Sequence, residues 1–351
     1  MVEGNNTPAR SARAGASRLE EVVPPRPDVV LVGDIGGTNC RLALARRGAR
    51  GPTIFARRRY KTREFARPVD AVRRFFRDAK QRHGVRAAAL AVAGPVTGDY
   101  VDLTNSAWSF SQHELREELG LDRLVIMNDL QAAARAVIDL PPSAFATIGP
   151  ATAPAIEGPM AVIAPGTGLG VALAFDAPVR FVVAAEGGHV GFSPSDEVEA
   201  GVAAVIGREV GRVINEHIVS GPGIERLHRA LISLGGTKPQ PLTGPDIMDR
   251  ALHGRDDACR RTIELFTRIL GSVAGDLVLA QGAREVVLAG SIVSSLVPVL
   301  RAGPFRAAFE ARGPGGDYMR IRPIRVTCLP DLALTGAFAG LMDVYATEGF
   351  V

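Results

Sequence analysis

The sequence predicts an α/β protein made of two related domains that each open with a β-hairpin. Apolar runs of strand length alternate with segments of helical periodicity from Asp28 onwards, which indicates mostly parallel or mixed sheets flanked by helices. The stretch LVGDIGGTNCRLALA (residues 31–45) also has a counterpart in MAVIAPGTGLGVALAFD (residues 160–176), since each places a Gly/Thr tip between two apolar runs. Duplication of an ancestral domain is one explanation of this likeness. The other is that any two buried hairpins look alike, and the residues alone leave both explanations open.

Local patterns predict the remaining elements. Apolar residues recur at helical spacing over residues 69–84, and Ser111 followed by Glu114 is a capping-box pattern that marks a helix start. The proline-containing segment at residues 140–145 is expected to be a linker. The other predicted strands are residues 28–34, 40–45, 86–96, 123–129, 284–292 and 320–330. The other predicted helices are residues 130–140, 197–219, 224–235, 259–280 and 332–346.

Composition narrows the classes of partner. The chain is 46% hydrophobic and 22% charged, with a formal net charge of +4 and a pI of about 9.2. No apolar run approaches the ~20 residues of a membrane helix, and no basic stripe is interleaved with aromatic residues, so neither a membrane nor a nucleic acid is an expected partner. Cys40, Cys259 and Cys328 fit neither a disulfide framework nor a metal cluster, which favours a reducing, cytoplasmic environment.

The N-terminal segment differs from the rest of the chain. Residues 1–27 are rich in Arg, Ala and Ser and end in prolines. The segment lacks the apolar centre of a secretory signal, and its glutamates argue against a transit peptide. We therefore expect residues 1–27 to be a disordered extension.

The tip of the first hairpin combines an acid with glycines. Glycines allow a tight turn and leave backbone N–H groups exposed, and such groups attract phosphate. Asp34 would repel a phosphate unless a divalent cation lay between them, so we expect it to hold Mg²⁺, directly or through water, against nucleotide phosphates. The alternative is a turn aspartate bonded to backbone N–H groups. The tip is not a Walker loop, and it leads into a strand, unlike the dinucleotide fingerprint.

Two polar residues end a predicted strand just before a helix. Ligands bind at the carboxyl ends of strands in open α/β sheets, so Asp129 is a candidate general base for a hydroxyl that attacks a phosphoryl group. Asn128 would then hydrogen-bond the same substrate. The alternative is that Asp129 is only the helix N-cap, and the residues alone leave both open.

The second half contributes further candidates. Glu186 and His189, three apart with glycines between them, suit the vicinal hydroxyls of a sugar, because they both donate and accept hydrogen bonds. Thr167 and Gly290 are small residues at strand ends that suit a phosphate turn and a flat wall against an adenine, although ordinary tight turns explain them equally well. Glu216, taken alone, is expected to be a solvated helix residue.

A series of motifs carries a resemblance to a known family. In chain order they are GDIGGTNCRLAL, AVAGPVTGD, LTNSAW, IMNDLQAAA, APGTGLG, EGGHVGF, SGPGI, LAGSI and FRAAFE. Together they resemble the bacterial glucokinase family, ATP-dependent hexokinases of the sugar kinase/Hsp70/actin superfamily. The resemblance implies an actin-like ATPase (ribonuclease H-like) fold with two α/β domains around a cleft. The expected division is a small domain of residues 28–139 plus 331–351 and a large domain of residues 140–330.

The resemblance also implies an activity and a role for each matching residue. The activity is transfer of the γ-phosphoryl group of ATP, with Mg²⁺, to the 6-hydroxyl of D-glucose. The partners are then a small-molecule sugar and a nucleotide, and a homodimer is the family expectation. Asp129 matches the catalytic base. The matching sugar ligands are Asn105, Asn128, Glu186, His189 and Glu216. The matching nucleotide-binding residues are Asp34, Gly36, Gly37, Thr38, Asn39, Thr167, Gly168 and Gly290.

The sequence departs from the family pattern at a few points. Ser291 stands where a second glycine is expected, Gly191 stands where an acid is often found, and the cysteine-rich zinc motif of the related repressor/kinase group is absent. Alternatives therefore stay open: a kinase for mannose or an aminosugar, a non-catalytic sugar-sensing regulator, or a polymerising actin-like protein. The phosphoryl donor is expected to be ATP, with ADP and polyphosphate as alternatives.

Overall fold

The computed structural model describes residues 27–49, 51–80, 84–104, 106–149 and 158–348. Two sequence predictions fall outside these ranges. They are the disordered extension, apart from Pro27, and the sugar ligand Asn105. Both stay predictions.

Strands and helices alternate along most of the described chain. The strands are β1 (Val30–Ile35), β2 (Asn39–Gly48), β3 (Gly51–Lys61), β4 (Ala87–Val92), β5 (Tyr100–Asp102), β6 (Ser109–Ser111), β7 (Arg123–Asn128), β8 (Phe145–Thr147), β9 (Met160–Pro165), β10 (Leu169–Phe175), β11 (Phe181–Ala185), β12 (Glu285–Leu288) and β13 (Ile324–Thr327). The helices are α1 (Pro68–Ala79), α2 (Gln112–Leu119), α3 (Asp129–Ile138), α4 (Glu197–Val210), α5 (Gly221–Leu234), α6 (Gly244–Leu252), α7 (Asp257–Gln281), α8 (Ser291–Ser295), α9 (Val297–Arg301), α10 (Pro304–Glu310), α11 (Gly316–Arg320) and α12 (Leu332–Glu348). Within the described ranges, no helix has the length and apolarity needed to span a bilayer.

Two large sheets share one strand order. The first runs β3-β2-β1-β4-β7, with β2 antiparallel to its neighbours and β1, β4 and β7 parallel. The second runs β11-β10-β9-β12-β13-β8 and repeats this arrangement over its first five strands. Each sheet thus places an antiparallel hairpin beside a pair of parallel strands. The likeness between the two hairpin sequences therefore extends to the topology around them.

Helices α3 and α12 lie between the two sheets. Ala132 of α3 and Phe338 of α12 pack with Val30 and Val32 of the first sheet, whereas Ala134 and Val137 of α3 pack with the second sheet. The two helices touch through their backbones, because a Cβ at Gly336 would lie 1.6 Å from the carbonyl oxygen of Ala132. A glycine is therefore required where α12 crosses α3.

The second sheet is covered mainly by the long helix α7. Phe266, Ile269 and Leu270 of this helix are fully buried in the largest apolar cluster. Burying a side chain of this size contributes ~1.5–3 kcal/mol relative to leaving it exposed. This packing anchors the second sheet, and with it the ends of its strands, against α7.

Several predicted boundaries differ from the structure. The helix predicted over residues 197–219 is wrong beyond Val210, because Gly211 adopts a φ of 74° and ends α4. Helix α1 ends at Ala79 and not at Gly84, because the next residue, Lys80, takes a left-handed conformation. Strand β3 was not predicted at all. The capping prediction is confirmed, since Ser111 Oγ accepts a hydrogen bond from the Glu114 N–H at 3.1 Å.

Candidate active site

The carboxyl ends of parallel strands bring Asp34 and Asp129 to one edge of the first sheet. Asp34 pairs in register with Ala91 of β4, which pairs with Met127 of β7. The two intervals of about 4.8 Å place β1 and β7 roughly 10 Å apart. Across this distance the negative charge of Asp34 adds to the rise in the pKa of Asp129.

Asn128, rather than Asp129, caps helix α3. The Asn128 Oδ1 accepts hydrogen bonds from the N–H groups of Leu130 (3.0 Å) and Gln131 (3.1 Å), and its Nδ2 donates to the Gly94 carbonyl oxygen (3.1 Å). The interpretation of Asp129 as the cap is therefore wrong. One N–H of the Asn128 amide has no partner among the described residues and is available to a ligand.

The Asp129 carboxylate is partly buried, and only one of its oxygens has a hydrogen-bond partner among the described residues. Its Oδ1 accepts a hydrogen bond from the Leu130 N–H at 2.8 Å, and no side chain in the described ranges bonds to it. Burial raises the pKa of Asp129 to about 6, against the lowering effect of that hydrogen bond. A carboxylate with a pKa near neutrality is a more effective proton acceptor at physiological pH than an ordinary aspartate.

Asp34 pairs with an arginine of the neighbouring strand. Arg41 Nη1 lies 2.8 Å from Asp34 Oδ2, which the register of β1 with β2 allows. No backbone N–H in the described ranges bonds to Asp34, so the turn-aspartate alternative is not what the structure has. Burial raises the pKa of the Asp34 carboxyl, and the charge and hydrogen bond of Arg41 oppose that rise.

The donor set at Asp34 fits Mg²⁺ held together with phosphate. Mg²⁺ in nucleotide sites takes one or two carboxylates and completes its shell with water and phosphate oxygens. Asp34 supplies such a carboxylate, with Oδ1 outside the Arg41 contact. Among the described residues, no group of three or more His, Cys, Asp or Glu side chains forms a protein cage for a metal.

The first turn, defined as Gly36 to Asn39, is pinned to the end of β3. The Gly36 N–H donates to the Asn39 carbonyl oxygen at 2.9 Å, and Thr62 Oγ1 donates to the Gly36 carbonyl oxygen at 2.7 Å. The Thr62 N–H also donates to the carbonyl oxygen of Thr38 at 3.1 Å. Gly37 and Thr38 form the solvent-facing tip, where a phosphate can approach.

The second turn, defined as Gly166 to Gly168, is held by a different set of contacts. The Gly166 N–H donates to the Gly168 carbonyl oxygen, and the Gly221 N–H donates to the Gly166 carbonyl oxygen, both at 2.8 Å. The Leu169 N–H donates to Glu216 Oε2 at 2.9 Å. A Cβ at Gly168 would lie 2.3 Å from that same oxygen, so any larger residue there would displace the Glu216 carboxylate. Thr167 is exposed at the tip.

Glu216 lies in a single 3₁₀ turn, Asn215–His217, instead of the predicted helix. The Asn215 N–H donates to the Val190 carbonyl oxygen at 2.9 Å, which ties this turn to the segment that carries Glu186 and His189. The prediction of a solvated helix residue is therefore wrong, because Glu216 is partly buried against the second turn.

Glu186 and His189 follow β11 at the edge of the second sheet. His189 Nδ1 lies 3.2 Å from Glu186 Oε2, and their side chains are 60% and 82% exposed. The intervening Gly188 approaches β10 closely, since a Cβ there would lie 2.3 Å from the Leu169 carbonyl oxygen. Both functional groups therefore extend from a tightly packed backbone to positions that a ligand can reach.

Gly290 lies beside the second turn on the opposite side from Glu186. It follows β12 with a φ of 102°, and a Cβ there would lie 3.4 Å from the Pro165 carbonyl oxygen. Its own carbonyl oxygen accepts a hydrogen bond from Ser294 Oγ at 2.8 Å. Ser291, the departure from the family pattern, opens helix α8 at this point.

The structure thus brings the predicted residues to two facing sheet edges, apart from Asn105, which lies outside the described ranges. Sequence reasoning missed Arg41 as the partner of Asp34, and it missed Arg59 and Lys61 beside the first turn. The basic run that ends β3 was the available signal, but its place next to the turn depends on the pairing of β3 with β2.

Comparisons with known proteins give the family. The glucokinase family model matches residues 31–344. A glucokinase of Caulobacter sp. (strain K31) is 40% identical over 309 residues, which is 88% of this chain and 93% of the relative. The crystal structure of a glucokinase from an Antarctic psychrotroph superposes with a TM-score of 0.79 at 30% identity, covering 91% of this chain and 100% of that one.

A more distant structure shares the fold. It is a ROK family glucokinase of Streptomyces griseus in complex with glucose and AMPPNP, with a TM-score of 0.62 at 22% identity, and it covers 89% of this chain and 98% of that one. The actin-like fold class predicted from the sequence is confirmed by these likenesses. The chain belongs to the glucokinase family.

Proposed function

We propose that the protein is an ATP-dependent glucokinase, which transfers the γ-phosphoryl group of ATP to the 6-hydroxyl of D-glucose. The observation that carries this proposal is the partly buried carboxylate of Asp129, whose pKa is raised to about 6, at the carboxyl end of a parallel strand next to a glycine turn. The names of the relatives and the ATP analogue in the Streptomyces griseus complex support the sugar and the donor.

The sugar lies between the end of β7 and the turns that follow β11 and α4. The Asn128 amide donates its second N–H, and the exposed Glu186 and His189 side chains accept and donate to ring hydroxyls. Glu216 offers Oε1 to the sugar while Oε2 accepts from the Leu169 N–H. Asn105 completes the set as an expectation from the family.

Asp129 acts as the general base. Its Oδ2, the oxygen outside the hydrogen bond to the Leu130 N–H, takes the proton of the 6-hydroxyl as the sugar oxygen forms its bond to the γ-phosphorus. The bond from the γ-phosphorus to the bridging oxygen breaks, and ADP leaves with that electron pair. The transition state is loose, so most of the acceleration comes from positioning and from neutralising charge.

The two glycine turns bind the phosphates, and the region around Gly290 binds the adenosine. The partly exposed Gly37 and the exposed Thr38 and Thr167 at the tips present backbone N–H groups to phosphate oxygens. Asp34 holds Mg²⁺, which when bound neutralises the negative charge on the phosphate oxygens. Arg41 keeps the Asp34 carboxylate in place through its 2.8 Å contact.

The setting in the cell is part of the same proposal. We propose a cytoplasmic homodimer whose product, glucose 6-phosphate, enters glycolysis. Within the described ranges the three cysteines are free, which suits a reducing compartment. The division into residues 28–139 plus 331–351 and residues 140–330 is proposed with it, since α12 packs on the first sheet.

A coupled assay tests the function. Wild-type protein receives ATP, Mg²⁺ and saturating glucose, and glucose-6-phosphate dehydrogenase reports the product as NADPH. Turnover in the wild type and its loss in a folded Asp129→Asn variant are expected. A folded wild type that is inactive with glucose contradicts the proposal, and a panel with mannose, aminosugars, ADP and polyphosphate then separates the other kinases from a non-catalytic regulator.

A further inference from the structure

The end of strand β3 carries two cations on the face of the sheet that holds Asp34. Arg59 pairs in register with Arg41, and Lys61 pairs with Asn39. Because directly paired residues share a face, these side chains lie together beside the first turn. None of the roles implied by the family falls on Arg59 or Lys61.

The two cations converge on one neutral acceptor. Arg59 Nε donates to Asn39 Oδ1 at 3.2 Å, and Lys61 Nζ donates to the same oxygen at 3.1 Å. Other arginines of this region have carboxylate partners, as Arg57 has in Asp331 and Arg74 has in Asp78. Within the described ranges, neither Arg59 nor Lys61 lies within ion-pair distance of a carboxylate.

An amide oxygen does not neutralise two positive charges. Arg41 adds a third cation to the same face, and the single carboxylate of Asp34 offsets only that one. Like charges held close together raise the energy of the folded protein unless an anion binds between them. This face of β2 and β3 therefore favours a ligand with more than one negative charge.

Contacts between the two sheets give the position of this face. Helix α3, which follows β7, contacts β10 and β11, so the β7 side of the first sheet faces the β11 side of the second. At the opposite side, Arg57 Nε of β3 lies 2.8 Å from Oδ2 of Asp331, which follows β13. The sugar ligands occupy the first side, and Gly290, which follows β12, occupies the second.

We propose that Arg59 and Lys61 form a subsite for the phosphates of the donor that are not transferred. The proposal rests on the proposed function in one respect, that a nucleotide binds between the glycine turns. The base at the end of β7 marks the position of the reacting γ-phosphoryl group. The diphosphate that leads back to the adenosine then passes the end of β3, where its oxygens replace Asn39 Oδ1 as the acceptor of both cations.

Calorimetric titration without sugar tests this subsite. The probes are ADP, AMP and inorganic tripolyphosphate, and the proteins are the wild type and the Arg59→Gln/Lys61→Gln double variant. We expect the Kd of ADP and of tripolyphosphate to rise about tenfold, as for the loss of two exposed ion pairs. AMP keeps only the α-phosphate, so we expect its Kd to rise less than that of ADP, by about threefold. The response to tripolyphosphate shows that the cations contact phosphate rather than adenosine.

Arg58→Gln is the matched control. It removes the same charge from the same strand, but Arg58 pairs in register with Leu42 on the opposite face and bonds to the carbonyl oxygens of Arg57 and Asp78. We expect it to leave ADP binding within about twofold of the wild type, because the charge is distant and screened. Arg59→Lys, which keeps the charge, is expected to retain most of the affinity.

Two results overturn the proposal. One is a double variant that binds ADP and tripolyphosphate as tightly as Arg58→Gln does, and the other is a wild type that binds neither probe. Circular dichroism confirms that each variant is folded. The titration needs no turnover, so a protein that fails to phosphorylate glucose still reports on the subsite, and the two failures are distinguishable.

Discussion

The first and second glycine turns share a backbone plan but differ in what surrounds them. Each joins an antiparallel pair at the same position in its sheet, and each closes with a hydrogen bond from its leading glycine N–H. Charged side chains lie beside the first turn, and two of them, Asp34 and Arg41, form an ion pair. The second is held by Gly221 and by the carboxylate of Glu216.

The difference assigns the two turns different work. We propose that the first turn handles charge, because the carboxylate of Asp34, which fits Mg²⁺, and several cations lie beside it. We propose that the second turn links donor to acceptor, since Glu216, the proposed sugar ligand, also accepts a hydrogen bond from the backbone next to the turn. A repeated fold therefore does not imply a repeated chemistry.

The largest expected effect is at the base, which neither turn can replace. Asp129→Asn keeps the shape of the side chain but accepts no proton, so kcat falls by on the order of 1,000-fold, within the usual range for general-base removal. The glucose Kd stays within about threefold, because the base contributes mainly in the transition state. The coupled assay and calorimetry measure the two quantities.

Asp139→Asn is the matched control for that variant. Asp139 lies at the other end of α3, where its exposed carboxylate pairs with the buried Arg135 and with the exposed Arg180. We expect kcat within about twofold of the wild type, as for a change remote from the site. Near-normal kcat in Asp129→Asn would remove Asp129 from the mechanism.

Removing the carboxylate of Asp34, which lies beside the first turn, tests the proposed metal role. Asp34→Asn loses the carboxylate that fits Mg²⁺ and leaves Arg41 without its partner, so kcat/KM for ATP falls by on the order of 100-fold. The Mg²⁺ concentration for half-maximal rate rises as well. Thr167→Ala, a change at the tip of the second turn, is expected to leave the Mg²⁺ dependence alone. Equal Mg²⁺ dependence in wild type and Asp34→Asn would contradict the assignment.

A methyl group added to the second turn tests its link to the sugar. In Gly168→Ala the Cβ meets Glu216 Oε2 at 2.3 Å and displaces it from the Leu169 N–H. The Kd values of glucose and of AMPPNP both rise about tenfold, the usual cost of one charge-assisted hydrogen bond. In Gly36→Ala the nearest atom is 3.7 Å away, and we expect glucose binding to be unchanged. Equal glucose Kd values in both variants would contradict the proposed link between the second turn and the sugar.

The smallest effects concern pH. Since the pKa of Asp129 is raised to about 6, kcat/KM for glucose falls about tenfold per pH unit below that value. Asp34→Asn removes the negative charge that contributes to the rise, so the acidic limb moves to lower pH. An unmoved limb would show that the two carboxylates do not interact.

The same raised pKa makes a prediction about stability. The ionised form of Asp129 is disfavoured in the folded state, so its cost is fully present above pH ~6 and disappears below the unfolded pKa of 3.8. Asp129→Asn should therefore raise Tm at pH 8 by on the order of 2 °C and by less at pH 4. Calorimetric scans at both pH values measure this difference, and a variant that melts lower at pH 8 would contradict it.

Much of the architecture follows from the sequence because hydrophobic periodicity acts locally. The apolar strands and both hairpins lie where the pattern placed them, and Ser111 caps its helix. Strand β3 escaped notice because its outer half is a run of arginines rather than an apolar alternation. The break after Val210 was missed because apolar spacing continues through Gly211, although a glycine that adopts a positive φ is a common local end of a helix.

The site was predictable as a set of residues but not as a set of contacts. Asp129 and Asn128 were identified at a strand end, yet which of them capped α3 depended on where β7 stops. The contact of Glu216 with Leu169 joins residues 47 positions apart, and no local pattern encodes it. The register of β2 with β3 decides that Arg59 and Lys61 reach the first turn.

The packing of α12 on the first sheet has a consequence for biosynthesis. Val30, Val32 and Ala43 are covered by Phe338 and its neighbours, which are translated last among the described elements. The ion pair of Arg135 with Asp343 alone spans 208 positions, roughly 10–40 s of synthesis at ordinary ribosomal rates. Throughout that time the first sheet has an uncovered apolar face, which is the kind of surface that chaperones bind on nascent chains.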